Sequence, residues 1–236
     1  MKHMQYAIAL LMLGLSHPAW AHNDNEADGV HDPENTIIVY GRAIEKIGDA
    51  GAASEGTVGY ADFEDRPLSR TGELVEVIPG VIATQHSGEG KANQYFLRGF
   101  NLDHGTDFAI SVDGVPVNLR THGHGQGYLD INFVIPEIVE RVDFRKGPYR
   151  ASTGDFSSAG SASYSTYDSL DRDFIDVSFG AYSHLRAVAG VDFTLSPTTN
   201  LLLAGEAAQH DGPWVLIQNC ENWTGFFKLM HEPGPR

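Results

Sequence analysis

"DFIDVSFGAYSHLRAVAGVDFTLSPTTNLLLAGEAA", residues 173–208, decides the fold class. Ile175, Val177, Phe179 and Ala181 alternate with Asp176, Ser178 and Gly180. Leu185, Ala187, Ala189, Val191, Phe193 and Leu195 alternate with Arg186, Gly190, Asp192 and Thr194. After the tight turn "SPTTN", Leu201, Leu203 and Ala207 alternate with Glu206. Successive side chains of a strand point to opposite faces, so each run gathers its apolar residues on one side. Runs of about ten residues with this period are the signature of a transmembrane β-barrel wall. A soluble antiparallel sheet with one wetted face produces the same alternation. The near absence of charge on the apolar face favours the membrane wall.

The N-terminus supports that choice. Lys2 precedes the ten-residue apolar run "YAIALLMLGL" (6–15), and "HPAWA" follows with Ala19 and Ala21 in the small-x-small pattern of a signal peptidase site. Ten apolar residues are too few for a helix across a bilayer core of about 30 Å. Residues 1–21 are therefore expected to be an export signal. The charge balance excludes other classes. With 31 acidic against 16 basic residues and a net charge of −15, the chain has no basic face for nucleic acid and no polybasic patch for anionic lipid. Cys220 is the only cysteine, so no internal disulfide forms, and "IQNCENW" places no base beside it.

Between signal and wall the texture changes twice. "HNDNEADGVHDPE" (22–34) is polar and acidic without periodicity. "NTIIVYGR" (35–42) then places the β-favouring run Ile37–Tyr40 alone in a small, polar surrounding. Such a strand suits addition to another protein's sheet edge, or an ordinary edge strand of the following domain. From Tyr60 the pattern is globular. "LSRTGELVEVIPGV" predicts a helix with Ser69 as N-cap, Leu74, Val75 and Ile78 on one face, and Pro79-Gly80 as its stop. "NQYFLRGF" predicts a strand ending at Gly99. "FAISVDGVPVN" predicts a hairpin about Asp113-Gly114. "IPEIVERVDFRKGP" starts with Pro136 at a first helical position and becomes a strand at Val142–Arg145. "STGDFSSAGSASYST" is rich in glycine and serine, with weak alternation at its end.

In order and spacing, these segments resemble the N-terminal part of a TonB-dependent outer-membrane receptor. "TIIVYG" (36–41) resembles the TonB box, "YFLRGF" (95–100) the LRG strand, and "SVDGVPVN" (111–118) the hairpin. "IPEIVERVDFRKGP" (135–148) resembles the segment ending in Lys-Gly-Pro, and "GDFSSAGSASYST" (154–166) the glycine-rich strand that closes the plug. The resemblance implies an α+β plug domain with a mixed sheet at 59–167. Before it comes a flexible periplasmic segment at 22–58 with the TonB box at 35–41. After it, at 168–236, come the first three or four antiparallel strands of an outer-membrane barrel, the fourth at "WTGFFKLM". Too few residues follow Tyr167 for a barrel of 22 strands of about ten residues each. An incomplete, transport-incompetent copy is the expectation from this sequence.

The resemblance further implies a receptor that takes up a scarce ligand, most often an iron–siderophore complex, with energy delivered by the TonB C-terminal domain pulling on the box. Its partners are that domain, a small-molecule ligand and outer-membrane lipid, and its place is the outer membrane. Thr36, Ile37, Ile38, Val39 and Tyr40 are the expected TonB contacts. Arg98 and Lys146 match positions that lock the plug to acidic residues of the wall. The loop after the hairpin, "LRTHGHGQGY" (119–128), falls at the outward apex of the plug, as does the loop holding His86. His86, His122, His124 and Gln126 are thus candidate ligand contacts.

His122 and His124 also offer two imidazoles to a metal, with a third donor from His86, His104, Asp130 or the wall. The other reading of this loop is hydrogen bonding to an organic ligand. No resident cofactor is expected; a metal or metal chelate would be the transported ligand. A ligand- or metal-binding module without transport is a further reading, and so is a secreted metalloprotein. No HExxH or comparable catalytic motif is present, so no enzyme is expected.

Overall fold

A computed structural model of the chain describes residues 50–66, 68, 70–85 and 88–232. The expected export signal, the expected TonB box at 35–41, the expected N-cap Ser69 and His86 lie outside the described residues. Twelve strands form three sheets among the described residues. The first sheet has the order β1 (Glu55–Gly59), β7 (Val139–Lys146), β8 (Gly160–Thr166), β5 (Phe108–Val112), β6 (Val115–Pro116). It is mixed, because β5 runs parallel to β8 while the other pairs are antiparallel. The second sheet is the small antiparallel set β2 (Val81–Thr84), β3 (Gln94–Leu97), β4 (Phe100–Asn101). The third is an antiparallel meander of β9 (Phe174–Phe179), β10 (Leu185–Ser196), β11 (Thr199–His210) and β12 (Cys220–His231), with β9 and β12 at its open edges.

One apolar core fills the plug part. Leu74, Ile78, Tyr95, Phe108, Ile110, Leu129, Val142 and Tyr164 pack in it with almost no solvent exposure. Burial of side chains of this size contributes roughly 1.5–3 kcal/mol each. Leu74, Val75 and Ile78 are buried as expected and Val77 is buried with them, but Thr71–Val77 winds as a 3₁₀ helix. Thr71, Gly72, Val75 and Val77 are poor α-helix formers, and seven residues give little room for the α-helical ladder to propagate. Every helical turn among the described residues is of this 3₁₀ kind.

Several expected boundaries shift: the strand expected at Val142–Arg145 runs over Val139–Lys146. The strand at "YFLRG" ends at Leu97, not Gly99, because Arg98 (φ 53°) and Gly99 (φ 79°) make the two-residue turn into β4. Asp113 (φ 47°) and Gly114 (φ 77°) do the same in the β5–β6 hairpin, the geometry that follows the twist of the strands. The flexible segment expected to run to residue 58 instead gives up Glu55–Gly59 as β1. That strand is held across β7 by Arg145–Glu55 (3.0 Å) and by the Thr57 hydroxyl donating to Asp143.

The meander keeps the alternation of its sequence. Register pairs Ala187 with both Val177 and Ala207, and Ala207 with Trp223. Ile175, Val177, Phe179, Leu195, Trp223, Phe227 and Leu229 on that face are exposed. The other face carries Arg186, Val188, Glu206, Asn222, Phe226 and Lys228 and lies against the plug. There Ile135 and Ile138 pack on Val188 and Ala204, flanked by Phe174 and Phe226. The helical turn Pro136–Ile138 thus supplies the apolar contact by which the plug docks on the wall.

Candidate functional site

The Asn118 side chain fastens the base of the histidine loop to the plug. The Asn118 carboxamide nitrogen lies 3.0 Å from the carbonyl oxygens of Gly105, Phe108 and Gly127, and its oxygen accepts from Ile110 N–H (2.8 Å). Leu119 and Tyr128 then pair as an antiparallel bridge that closes the loop. Gly127 (φ 78°) packs so close to the Phe156 ring that a Cβ would approach to 2.6 Å, whereas Gly123 and Gly125 keep negative φ. At Gly105 (φ 103°) a Cβ would sit 2.2 Å from that of Leu129, so a bare backbone is required where the two loops cross.

Three donors converge beside this crossing. His104 is buried, and its Nδ1 lies 3.0 Å from the carbonyl oxygens of both Ala92 and Asn93. A carbonyl oxygen only accepts, so Nδ1 carries the proton and the lone pair of the neutral ring is on Nε2. Asp103 (φ 50°) is set by Asn101, whose side-chain oxygen accepts from its N–H (2.8 Å), and its carboxylate lies 3.8 Å from His104 Nε2. The His124 ring meets His104 edge-on at 4.5 Å between centroids. One donor atom from each of Asp103, His104 and His124 falls within 4.8 Å of the others, the aspartate and His124 being exposed.

His122 and Gln126 are exposed as well. The His122 ring stacks on Tyr128 at 3.9 Å, and its Nδ1 accepts from His124 N–H (3.2 Å). Tyr128 is itself pinned by Ala92 N–H donating to its hydroxyl (2.8 Å). His124 therefore joins His104 and Asp103, while His122 props the loop. The sequence reading considered His104 and passed over Asp103; the adjacency "DHG" was the available signal.

Arg98 donates to Ala53 O (3.5 Å), and Lys146 is buried with its ammonium 5.1 Å from the Phe144 ring centroid. Neither makes an ion pair among the described residues. Burial, and then the neighbouring Arg98 guanidinium, holds the Lys146 ammonium below the usual lysine range. A different ion cluster joins plug to wall. Arg186 of β10 grips Glu137 with two parallel bonds (2.6 and 2.8 Å) and bonds Glu206 of β11 through Nε (2.9 Å) and Nη2 (2.5 Å). Asn222 Nδ2 donates to the other Glu206 oxygen (3.2 Å). At the far end of β12, Lys228 pairs with Asp168 (2.6 Å) and lies 3.7 Å from Asp113. Between plug and wall opens a cleft of about 1100 Å³, lined by Lys91, Asn132, Glu137, Tyr167, Arg186 and His210.

A family model described as "TonB-dependent Receptor Plug Domain" matches residues 50–161. The chain carries the plug domain of the TonB-dependent receptors over these residues. It is 27% identical over 180 residues to the vitamin B12 transporter BtuB of Vibrio vulnificus (strain CMCP6), covering 75% of this chain and 28% of that one. Among solved structures, the siderophore receptor PirA from Pseudomonas aeruginosa matches with a TM-score of 0.55 and 22% identity, over 79% of this chain and 34% of that one. The copper transporter OprC matches with a TM-score of 0.60 and 16% identity, over 80% and 29%. The chain thus spans about a third or less of the length of these relatives. At such identities the two structures speak for the fold: a mixed-sheet plug followed by antiparallel strands. The named relatives are transporters and receptors, not enzymes.

Proposed function

We propose that the chain is the plug and first wall strands of an outer-membrane receptor for energised uptake of a scarce metal-bearing ligand, of the iron–siderophore kind or a metal ion. The observation that carries this reading is the two-faced meander. Its apolar face is exposed while its charged face is tied to the plug through Arg186, Glu137 and Glu206. An apolar face of that extent is matched by lipid, and the polar face by a plugged lumen.

Outer-membrane barrels have short periplasmic turns and longer outer loops. The two-residue connection between β10 and β11 is then periplasmic, and the 211–219 connection faces outward. Residues 88–92 reach that outer end through Glu89–His210 (3.1 Å), and the Ala92 and Asn93 carbonyls hold His104. On this reading the histidine cluster meets the medium. Ligand contact falls to His124 and Gln126, with His122 beside them and His86 as a further candidate contact from its place in the sequence.

Residues 1–21 are the export signal, 22–54 the periplasmic arm, and the plug runs from β1 at Glu55 to 167. Thr36, Ile37, Ile38, Val39 and Tyr40 add as a strand to the TonB C-terminal domain. The test is membrane fractionation of the full chain with a TonB C-terminal domain pull-down. Outer-membrane recovery with retention on TonB is the expected result. A chain found entirely in the soluble periplasm, without TonB retention, overturns the reading.

A further inference from the structure

We propose that Asp103, His104 and His124 are a binding site for a divalent first-row transition-metal ion, of the zinc or copper class. As the cargo contact of the plug this rests on the receptor reading above; as a metal site it rests on the geometry alone. Two imidazoles and one carboxylate are a donor set for zinc, copper(II) or iron(II), and a poor one for calcium or magnesium, which take oxygen ligands. The buried member is pre-set. His104 donates its Nδ1 proton to backbone carbonyls at 3.0 Å, the outer-shell bond by which proteins fix a ligating histidine and direct Nε2 at the metal.

The spacing agrees. Ligand atoms about 2.1 Å from a tetrahedral ion stand about 3.4 Å apart. His104 Nε2 and the Asp103 carboxylate are already 3.8 Å apart. The third donor lies within the 4.8 Å limit that encloses all three. Closing that gap falls to Asp103 and His124, the two exposed members, while His104 stays in place. Asp103 is held in a left-handed backbone conformation that aspartate tolerates and most residues do not. Three protein ligands leave a coordination position open, as in sites that exchange or hand on what they bind. His122, stacked on Tyr128, is outside the donor set.

The experiment uses the untagged full chain, purified in detergent, titrated with Zn²⁺ and Cu²⁺ in competition with a chromophoric chelator, and with Mg²⁺ as the oxygen-seeking control. One equivalent of zinc or copper should bind, and magnesium should not compete. His124→Ala and Asp103→Asn, both at exposed positions, should each weaken binding at least about tenfold, since even outer-shell changes cost 10–100-fold. His122→Ala, which removes a prop of the loop but no donor to the ion, should weaken binding less than His124→Ala does.

A folded wild-type chain that binds neither ion overturns the site. So does a His122→Ala loss as large as that of His124→Ala. If the chain fractionates with the outer membrane but binds no metal, this inference fails and the receptor reading stands. If it binds metal through His124 yet never reaches the membrane, the receptor reading fails and the site stands.

Discussion

Replacing Arg186 with methionine tests whether plug and wall are one structure. The guanidinium makes four charge-assisted bonds to two carboxylates that come from sequence positions 49 and 20 residues away. The side chains of Arg186 and Glu206 are 18% and 3% exposed. Methionine keeps the length and the apolar stem and removes the charge. Glu206 is then left covered, with the neutral Asn222 amide to bond one oxygen, and Glu137 loses its bidentate partner. Breaking a buried pair from one side costs about 3–5 kcal/mol, mostly the desolvation of the stranded charge.

For a chain of this size each kcal/mol moves the melting temperature by about 2–4 °C. Arg186→Met should therefore lower Tm by about 6–20 °C. The assay is thermal unfolding of the full chain in detergent, followed by tryptophan fluorescence. Trp223, opposite Ala207 in the meander, reports on the wall. Adding Glu206→Gln and Glu137→Gln removes the stranded charges and should recover most of the loss, because replacing a whole buried ion cluster is often close to neutral. A single-mutant shift below about 2 °C, or a triple variant as poor as the single one, would refute the reasoning. Plug and wall would then be held by their other contacts, Ile135 and Ile138 on Val188 and Ala204, Lys228 with Asp113 and Thr166, and His210 with Glu89.

Gly105→Ala should cost about 1–3 kcal/mol from backbone strain at φ 103° and more from overlap with the Leu129 Cβ at 2.2 Å; a denaturation midpoint within about 0.5 kcal/mol of wild type counts against the observed crossing of the two loops. Burial raises the phenol pKa of Tyr95, Tyr164 and Tyr167, that of Tyr167 to about 12 from 10.0. The folded chain thus holds these protons more tightly than the unfolded one; this stability is full below pH 10 and is lost as pH rises through the folded values, so Tm measured across pH 9 to 12 should fall, and a flat profile would contradict the burial. A peptide of residues 33–43 carrying Ile38→Pro should lose binding to the TonB C-terminal domain, because proline removes a backbone donor and fixes φ; an unchanged Kd in a fluorescence-polarisation titration would remove the strand-addition reading.

The fold was legible wherever the deciding interaction is local. Alternation over 175–207 put Ala187, Ala207 and their neighbours on one face because the strand period is a property of successive residues, and pairing kept that face intact across four strands. Asp113-Gly114 announced its turn for the same reason: two adjacent residues must take positive φ, and glycine does so without cost. The strand expected to end at Gly99 was misjudged by ignoring that Arg98-Gly99 can do likewise, the side chain of Arg98 being more visible than its backbone.

What the sequence hid is long-range. Glu137 stood out only as one acid in "IPEIV", and nothing local says that Arg186 reaches it; the docking of Ile135 and Ile138 on β10 and β11 brings them together. The histidines show the same limit from the other side. His-x-His spacing directs attention to His122 and His124 as a pair, yet alternate residues of an irregular loop need not share a direction, and the His122 ring turns onto Tyr128. His104 is separated from His124 by twenty residues and is brought there by Leu129 N–H bonding its carbonyl oxygen (2.7 Å) and by the Asn118 staple beneath. The residue that anchors the cluster is the buried one, whose ring is oriented by the Ala92 and Asn93 carbonyls. A histidine chosen for the bonds that hold its ring is a better guide to a metal than one chosen for its spacing.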